Sequence, residues 1–255
     1  MKKDKEVSNK SSKIISDFTF DNFVVGQFNQ FAYSACMAVA ENPGTLYNPL
    51  FICDGGGMGA IGQTHLLHAI VHHCLNKEPE MKVCLETADN FSNELIQSIR
   101  YSTLSDFRER HRTVDMLLID DIQFIAGKER TQEEFYHTVK ALFEQKKQIV
   151  VTCSHAPFKL QGVEERIKHL FEWGLIVDIK LPDTKTKIAI LNKKKKDQDF
   201  PAEIVNFLAH NATQVREMEG FIIRLKAYSS LCGREITLEL AEDLLKDYIR
   251  SKNDK

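Results

Sequence analysis

Residues Leu50 to Leu67, LFICDGGGMGAIGQTHLL, read as a short buried strand, a glycine-rich turn and the start of a helix. Within them Gly57, Gly59, Gly62, Gln63 and Thr64 keep the spacing of a phosphate-binding loop, G-x-x-x-x-G-K-[ST], with Gln63 standing where that pattern has lysine. Glycines let backbone N–H groups curl around an anion, and the helix that follows aims its positive end at the same place. The missing lysine removes a mobile positive charge. At about 4 Å and an effective dielectric near 20, one such charge pair amounts to roughly 4 kcal/mol before desolvation. Glutamine donates a hydrogen bond but neutralises nothing. The expectation is weak or absent binding of ATP or ADP with Mg²⁺, and poor hydrolysis. Gly55 to Gly57 also loosen the approach to the loop, because flexible glycine costs entropy to order.

A second chemical signature lies downstream. Val114 to Asp121, VDMLLIDD, is an apolar strand that ends in two carboxylates. Beside a phosphate loop, the first acid, Asp120, is placed to hold Mg²⁺ and the second, Asp121, to orient an attacking water. Either feature alone has a bland explanation, since Gly and Asp are common where strands give way to turns. Together they point to a P-loop nucleotide-binding architecture.

These residues need strands to carry them. Apolar runs at Leu50–Cys53, Lys82–Leu85, Met116–Ile119, Ile149–Thr152 and Ile176–Ile179 alternate with helical patterns, which argues an α/β fold: a parallel five-stranded sheet with helices on both faces. A helix over Gln27–Glu41, with Phe31, Ala35, Cys36 and Val39 on one face, precedes the first strand, and the aromatics of Phe18–Phe23 read as a strap on the core. From about Asp183 the pattern becomes wholly helical, with helices expected at Thr184–Lys196, Pro201–Asn211, Gln214–Gly233 and Thr237–Ser251. The expected organisation is a disordered leader over 1–16, an α/β domain over 17–182, a small all-α lid over 183–251 and a tail over 252–255.

Composition bounds the function. The 255 residues carry a net charge of −2, so any DNA contact must be local, and no run reaches membrane-spanning length. The N-terminus lacks the apolar core of a signal peptide, so the expected location is cytoplasmic. Six cysteines (Cys36, Cys53, Cys74, Cys84, Cys153, Cys232) show no C-x-x-C pair and read as reduced small hydrophobes. His65, His72 and Cys74 do not converge on one helical face, so they are not read as a metal site.

FTFDNFVVG at Phe18–Gly26, NPLFI at Asn48–Ile52, THLLHAI at Thr64–Ile70, LLIDDIQFIAGKERTQEEF at Leu117–Phe135, FEWGL at Phe171–Leu175 and VREMEG at Val215–Gly220 closely resemble the AAA+ module of the DnaA family of bacterial replication initiators. The likeness runs from about Phe18 to Ser251. It implies an ATP-binding α/β domain, a helical lid, assembly at a replication origin and contact with single-stranded DNA. By that resemblance Thr64 is a Mg²⁺ ligand, Asp120 the metal aspartate, Asp121 the catalytic acid, Arg216 a lid arginine that senses nucleotide, and Arg166 an interface arginine.

Four positions depart from the family pattern. Gln63 replaces the loop lysine, about three residues are inserted within Asp54–Gly56, Ser154 stands where an aspartate follows the fourth strand, and Leu170 stands where the family supplies an arginine finger to its neighbour. Lysine, sensor and finger all serve the γ-phosphate, so their joint loss implies relaxed demand for hydrolysis and leaves Asp121 vestigial. The expectation is an accessory or regulator of replication that contacts DnaA or another AAA+ protein, with self-assembly and weak single-strand binding left open. Single-strand contact would use Ser98–Tyr101 and Phe107–Arg112, which mix basic and aromatic residues. The chain ends at Lys255, soon after the last expected helix, so sequence-specific duplex recognition is expected to be missing. The alternative is a working ATPase in which Lys128 or Arg130 supplies the lost charge.

Overall fold

A computed structural model describes residues 14–55, 62–194 and 200–253. Five strands, β1 (Leu50–Asp54), β2 (Val83–Thr87), β3 (Met116–Asp120), β4 (Gln148–Cys153) and β5 (Leu175–Ile179), form a parallel sheet in the order β2-β3-β4-β1-β5. Each strand matches an expected apolar run to within one or two residues. The register sets Thr87 beside Asp120 and Cys53 beside Cys153, so the carboxyl ends of the central strands finish together.

Side chains alternate across the sheet, and both faces are buried, as a parallel sheet requires. Phe51, Leu117, Ile119, Ile149 and Val151 pack in one cluster with residues of α3 (Ala88–Arg100), α4 (Leu104–Arg112), α5 (Glu129–Glu144) and α6 (Glu165–Glu172). Ile52, Leu118 and Val150 are equally buried on the opposite face, where α2 (Gln63–Lys77) contacts β2, β3 and β4. Helix α1 (Gln30–Glu41) buries Ala32, Ala35, Cys36, Val39 and Ala40, whereas Phe31, expected on that face, is 60 % exposed. The helix also starts later than expected, because Asn29 holds the preceding turn: its Oδ1 accepts from Gly26 N and its Nδ2 donates to Val24 O, both at 2.9 Å.

Helix α3 begins at an N-cap, Thr87, whose hydroxyl accepts from Asn90 N at 3.2 Å. Helix α4 is tied to α5 through Glu134, which takes a bidentate pair of 2.8 Å bonds from Arg108 and a further bond from Arg112. Burial would raise the Glu134 carboxyl, but these guanidiniums outweigh it and hold it below its ordinary value. Arg110 pairs with Glu94, and Phe107 and His111 are buried. The stretch Phe107–Arg112, expected to face nucleic acid, thus buries its rings and pairs its arginines with Glu134 and Glu94. The strap lies along α2: Phe18 stacks on His65 at 4.6 Å, and His65 Nε2 and His72 Nε2 donate to the carbonyls of Thr19 and Ile15.

The described residues divide into two units. One comprises residues up to Phe23, Phe31–Cys53 and Gln63–Asp178. The other comprises Val24–Gln30, the described part of 54–62, and the chain from Ile179 onward, with helices α7 (Thr184–Lys194), α8 (Ala202–Asn211), α9 (Val215–Cys232) and α10 (Leu238–Asn253). Its own core joins Leu191, Ile204, Leu208, Met218, Leu225 and Leu245. Helix α9 opens on a capping box in which Gln214 and Glu217 exchange side-chain and backbone bonds, and it stops at Gly233, whose φ of 63° suits glycine.

Two glycines give a contrast in stability. A Cβ on Gly174 would lie 1.8 Å from the Pro49 carbonyl oxygen, whereas one on Gly220, within α9, meets nothing within 4 Å. Gly174→Ala should cost on the order of 3 kcal/mol or more, and Gly220→Ala should stabilise by about 0.5–1 kcal/mol. Urea unfolding followed by circular dichroism reads both.

Candidate functional site

The two carboxylates and the start of α2 meet at the carboxyl edge of the sheet. Asp120, 7 % exposed, closes β3 and has one donor for each oxygen: Thr64 Oγ1 donates to its Oδ2 at 2.7 Å, and Thr152 Oγ1 at the end of β4 donates to its Oδ1. Burial pushes the Asp120 carboxyl above its ordinary value, the two hydroxyls oppose that, and the neighbouring charge of Asp121 adds to it. Thr152 also accepts from Asp121 N at 2.9 Å, so one hydroxyl fixes both acids.

Asp121 turns the chain with φ 58° and ψ 55°, the left-handed region that Asp tolerates better than most residues. Its Oδ1 accepts from Gln123 Nε2 at 2.9 Å, and Gln123 Oε1 accepts from Ser154 N at 3.2 Å. Ser154, at the expected sensor position, bonds His155 Nδ1 through its hydroxyl at 2.9 Å.

Gln63 faces the sheet. Its Nε2 donates to the carbonyls of Ile52 at 2.9 Å and Cys153 at 2.7 Å, bridging β1 and β4, and the residue is 7 % exposed. Gly62, just before it, holds φ 109°, a conformation that favours glycine. Gly57 and Gly59 lie outside the described residues, as do Lys195 and Lys196 of the last expected turn of α7.

Four expected site residues, Gln63, Thr64, Asp120 and Asp121, are thus assembled in one place. Arg166 and Leu170 sit apart on α6. Arg166 lies 4.7 Å over the Tyr136 ring and pairs with Glu164, keeping a partly exposed side chain. Leu170, grouped with it as an interface residue, is 4 % exposed and packs in the core with Ile167 and Phe171; its side chain faces inward and offers no contact surface. Arg216 is exposed in the first turn of α9, in the second unit. Lys128 and Arg130 are engaged at 3.2 Å by Asp89 and Glu133. Sequence reading missed Thr152 and Gln123. A polar residue closing an otherwise apolar β4 run was the available signal for the first.

A family model for the bacterial DnaA ATPase domain matches residues 14–178. The chain belongs to the DnaA family. It is 52 % identical over 246 residues to the chromosomal replication initiator protein DnaA of Geobacter metallireducens, a match that takes in 95 % of this chain and 54 % of that protein. The crystal structure of domain III of the Thermotoga maritima DnaA superposes with a TM-score of 0.88 at 40 % identity, covering 93 % of this chain and 99 % of that one. A DnaA solved with AMPPCP and single-stranded DNA gives a TM-score of 0.79 at 34 % identity, covering 95 % and 71 %. The chain therefore spans about half the length of the curated DnaA relatives it matches. No described helix is long and apolar enough to cross a membrane.

The raised Asp120 pKa fixes a sign. The folded state holds this proton more tightly than the unfolded chain, so the carboxyl detracts from stability as pH rises through and above its ordinary range. Asp120→Asn should raise the melting temperature at neutral pH, and the gain should shrink as the pH falls below the usual carboxylate range. Calorimetric scans across that range check the trend.

Proposed function

We propose that this DnaA-type AAA+ module serves the initiation or regulation of chromosomal replication by binding a nucleotide and contacting DnaA or another AAA+ replication protein, without efficient ATP hydrolysis. The observation that carries this reading is the commitment of the Gln63 amide to the carbonyls of Ile52 and Cys153. A side chain spent on the sheet, and uncharged, brings no charge to a terminal phosphate. The remaining donor set is made of oxygens and fits Mg²⁺, which Thr64 and Asp120 would hold. Bound Mg²⁺ would neutralise phosphate charge. Asp121, oriented by Gln123 and Thr152, would position water, and among the described residues no cation pairs with it.

In this reading Gly57, Gly59 and Gly62 cradle phosphates, Arg216 senses nucleotide from a lid formed by 183–251, and Arg166 meets a neighbouring subunit. A Leu170 that offers no arginine finger leaves a neighbour's nucleotide intact. Arg166, partly exposed on α6, would serve self-assembly or pairing with a full-length initiator, and the location is cytoplasmic.

Calorimetry with ATP and ADP, paired with a phosphate-release assay, tests the reading. Nucleotide should bind without turnover, and Gln63→Lys should tighten ATP binding by about tenfold or more without restoring turnover. Turnover by the unaltered chain that disappears in Asp121→Asn would sink the proposal in favour of a working ATPase.

A second reading, contact with single-stranded DNA, has its own support. Tyr101 is 65 % exposed beside Ile96 and Ile99, with the Arg100 guanidinium 5.7 Å from its ring, the mix of π-face and cation that suits stacked bases. Fluorescence anisotropy with oligothymidine should show binding that weakens steeply with salt, and Tyr101→Ala should lose about 1–3 kcal/mol. Binding indifferent to both salt and Tyr101 would refute it.

A further inference from the structure

We propose that Cys84, Glu86 and His111 form a binding site for a borderline-soft divalent cation, zinc by preference, that staples strand β2 to helix α4. Cys84 and Glu86 are two apart on β2 and so share a face, and His111 comes down on them from α4. Their ligand atoms all lie within 4.8 Å of one another: Cys84 Sγ is 3.6 Å and His111 Nε2 2.6 Å from Glu86 Oε1. Tetrahedral zinc, with bonds of about 2.3 Å to sulfur and 2.0–2.1 Å to nitrogen or oxygen, sets its ligands about 3.3–3.6 Å apart. The sulfur–oxygen separation already fits, and the nitrogen–oxygen one needs to open by less than an ångström.

The imidazole is oriented for the task. His111 Nδ1 lies 2.8 Å from the Phe107 carbonyl, which can only accept, so Nδ1 carries the hydrogen and Nε2 presents its other face to the carboxylate. A ligand histidine held through its second nitrogen by a backbone carbonyl is the usual arrangement at metal sites. The rings of Phe91 and Phe107, at 5.0 and 4.2 Å, hold it in place.

Charge balance favours a divalent ion. One M²⁺ held by the Cys84 thiolate, the Glu86 carboxylate and a neutral His111 imidazole makes a cluster without net charge, as an apolar surrounding demands. Burial pushes the Cys84 thiol up, so the ion itself must drive off the thiol proton. Arg110, whose charge reaches Cys84, is offset by Glu94. Sulfur and nitrogen in the donor set select against Mg²⁺, so this site and the Thr64–Asp120 pair would hold different ions.

The test titrates Co²⁺ into the reduced full chain. One equivalent should bind with a thiolate-to-cobalt charge-transfer band. Cys84→Ser should abolish the band, and Cys232→Ser, which removes the exposed cysteine, should leave it unchanged. X-ray absorption of the zinc-loaded Cys232→Ser chain should find one sulfur at about 2.3 Å among lighter ligands, and needs no variant at the site. Zinc should also raise the melting temperature. Absence of sulfur from the zinc shell, or a cobalt band that depends on Cys232, overturns the proposal.

Discussion

A carboxylate buried at the end of a central strand has to be given donors, and the way Asp120 obtains them organises the molecule. Its two oxygens draw the hydroxyl of Thr64 from the start of α2 and that of Thr152 from the end of β4. Three elements that are far apart in sequence are thereby fixed to one point. Neither donor is charged, so the negative charge of Asp120 is supported without being cancelled.

Gln63 continues the same logic one residue earlier. The Gln63 amide donates to one carbonyl of β1 and one of β4, so it ties two neighbouring strands together. A lysine in that position would also be able to donate, but at the cost of holding its charge against the sheet and away from a phosphate. Glutamine settles that competition in favour of the scaffold. The fold-defining contacts therefore survive the change, and a relationship to DnaA remains plain across 95 % of the chain.

The parallel five-stranded sheet was legible because buried parallel strands appear as apolar runs, and the glycine loop and the two carboxylates come directly after the runs of β1 and β3 in sequence. Thr64, Asp120 and Asp121 followed from spacing for the same reason. The partners were not legible. Nothing in local periodicity ties Thr152 to Asp120 across 32 residues, or Arg108 and Arg112 to Glu134, because these pairings exist only once α4, α5 and β4 are packed. Phe31 misled for a related reason: the face of α1 that packs is set by Ala32, Ala35 and Val39, small residues that let the helix sit close, and the large ring is left outside.

Glu86 shows the other solution to the same constraint. It lies on β2 opposite Ile119, one residue short of the level of Asp120, and it is just as buried. Its partners, however, are an imidazole and a thiol, groups that carry exchangeable protons and lone pairs on nitrogen and sulfur. Hydroxyl donors around Asp120 favour an ion that prefers oxygen, whereas the donors around Glu86 favour one that prefers nitrogen and sulfur. Two carboxylates on adjacent strands of one sheet thus acquire distinct cation preferences from their neighbours alone. The first gathers the start of α2 and the end of β4 at the head of β3, and the second joins edge strand β2 to α4 through His111.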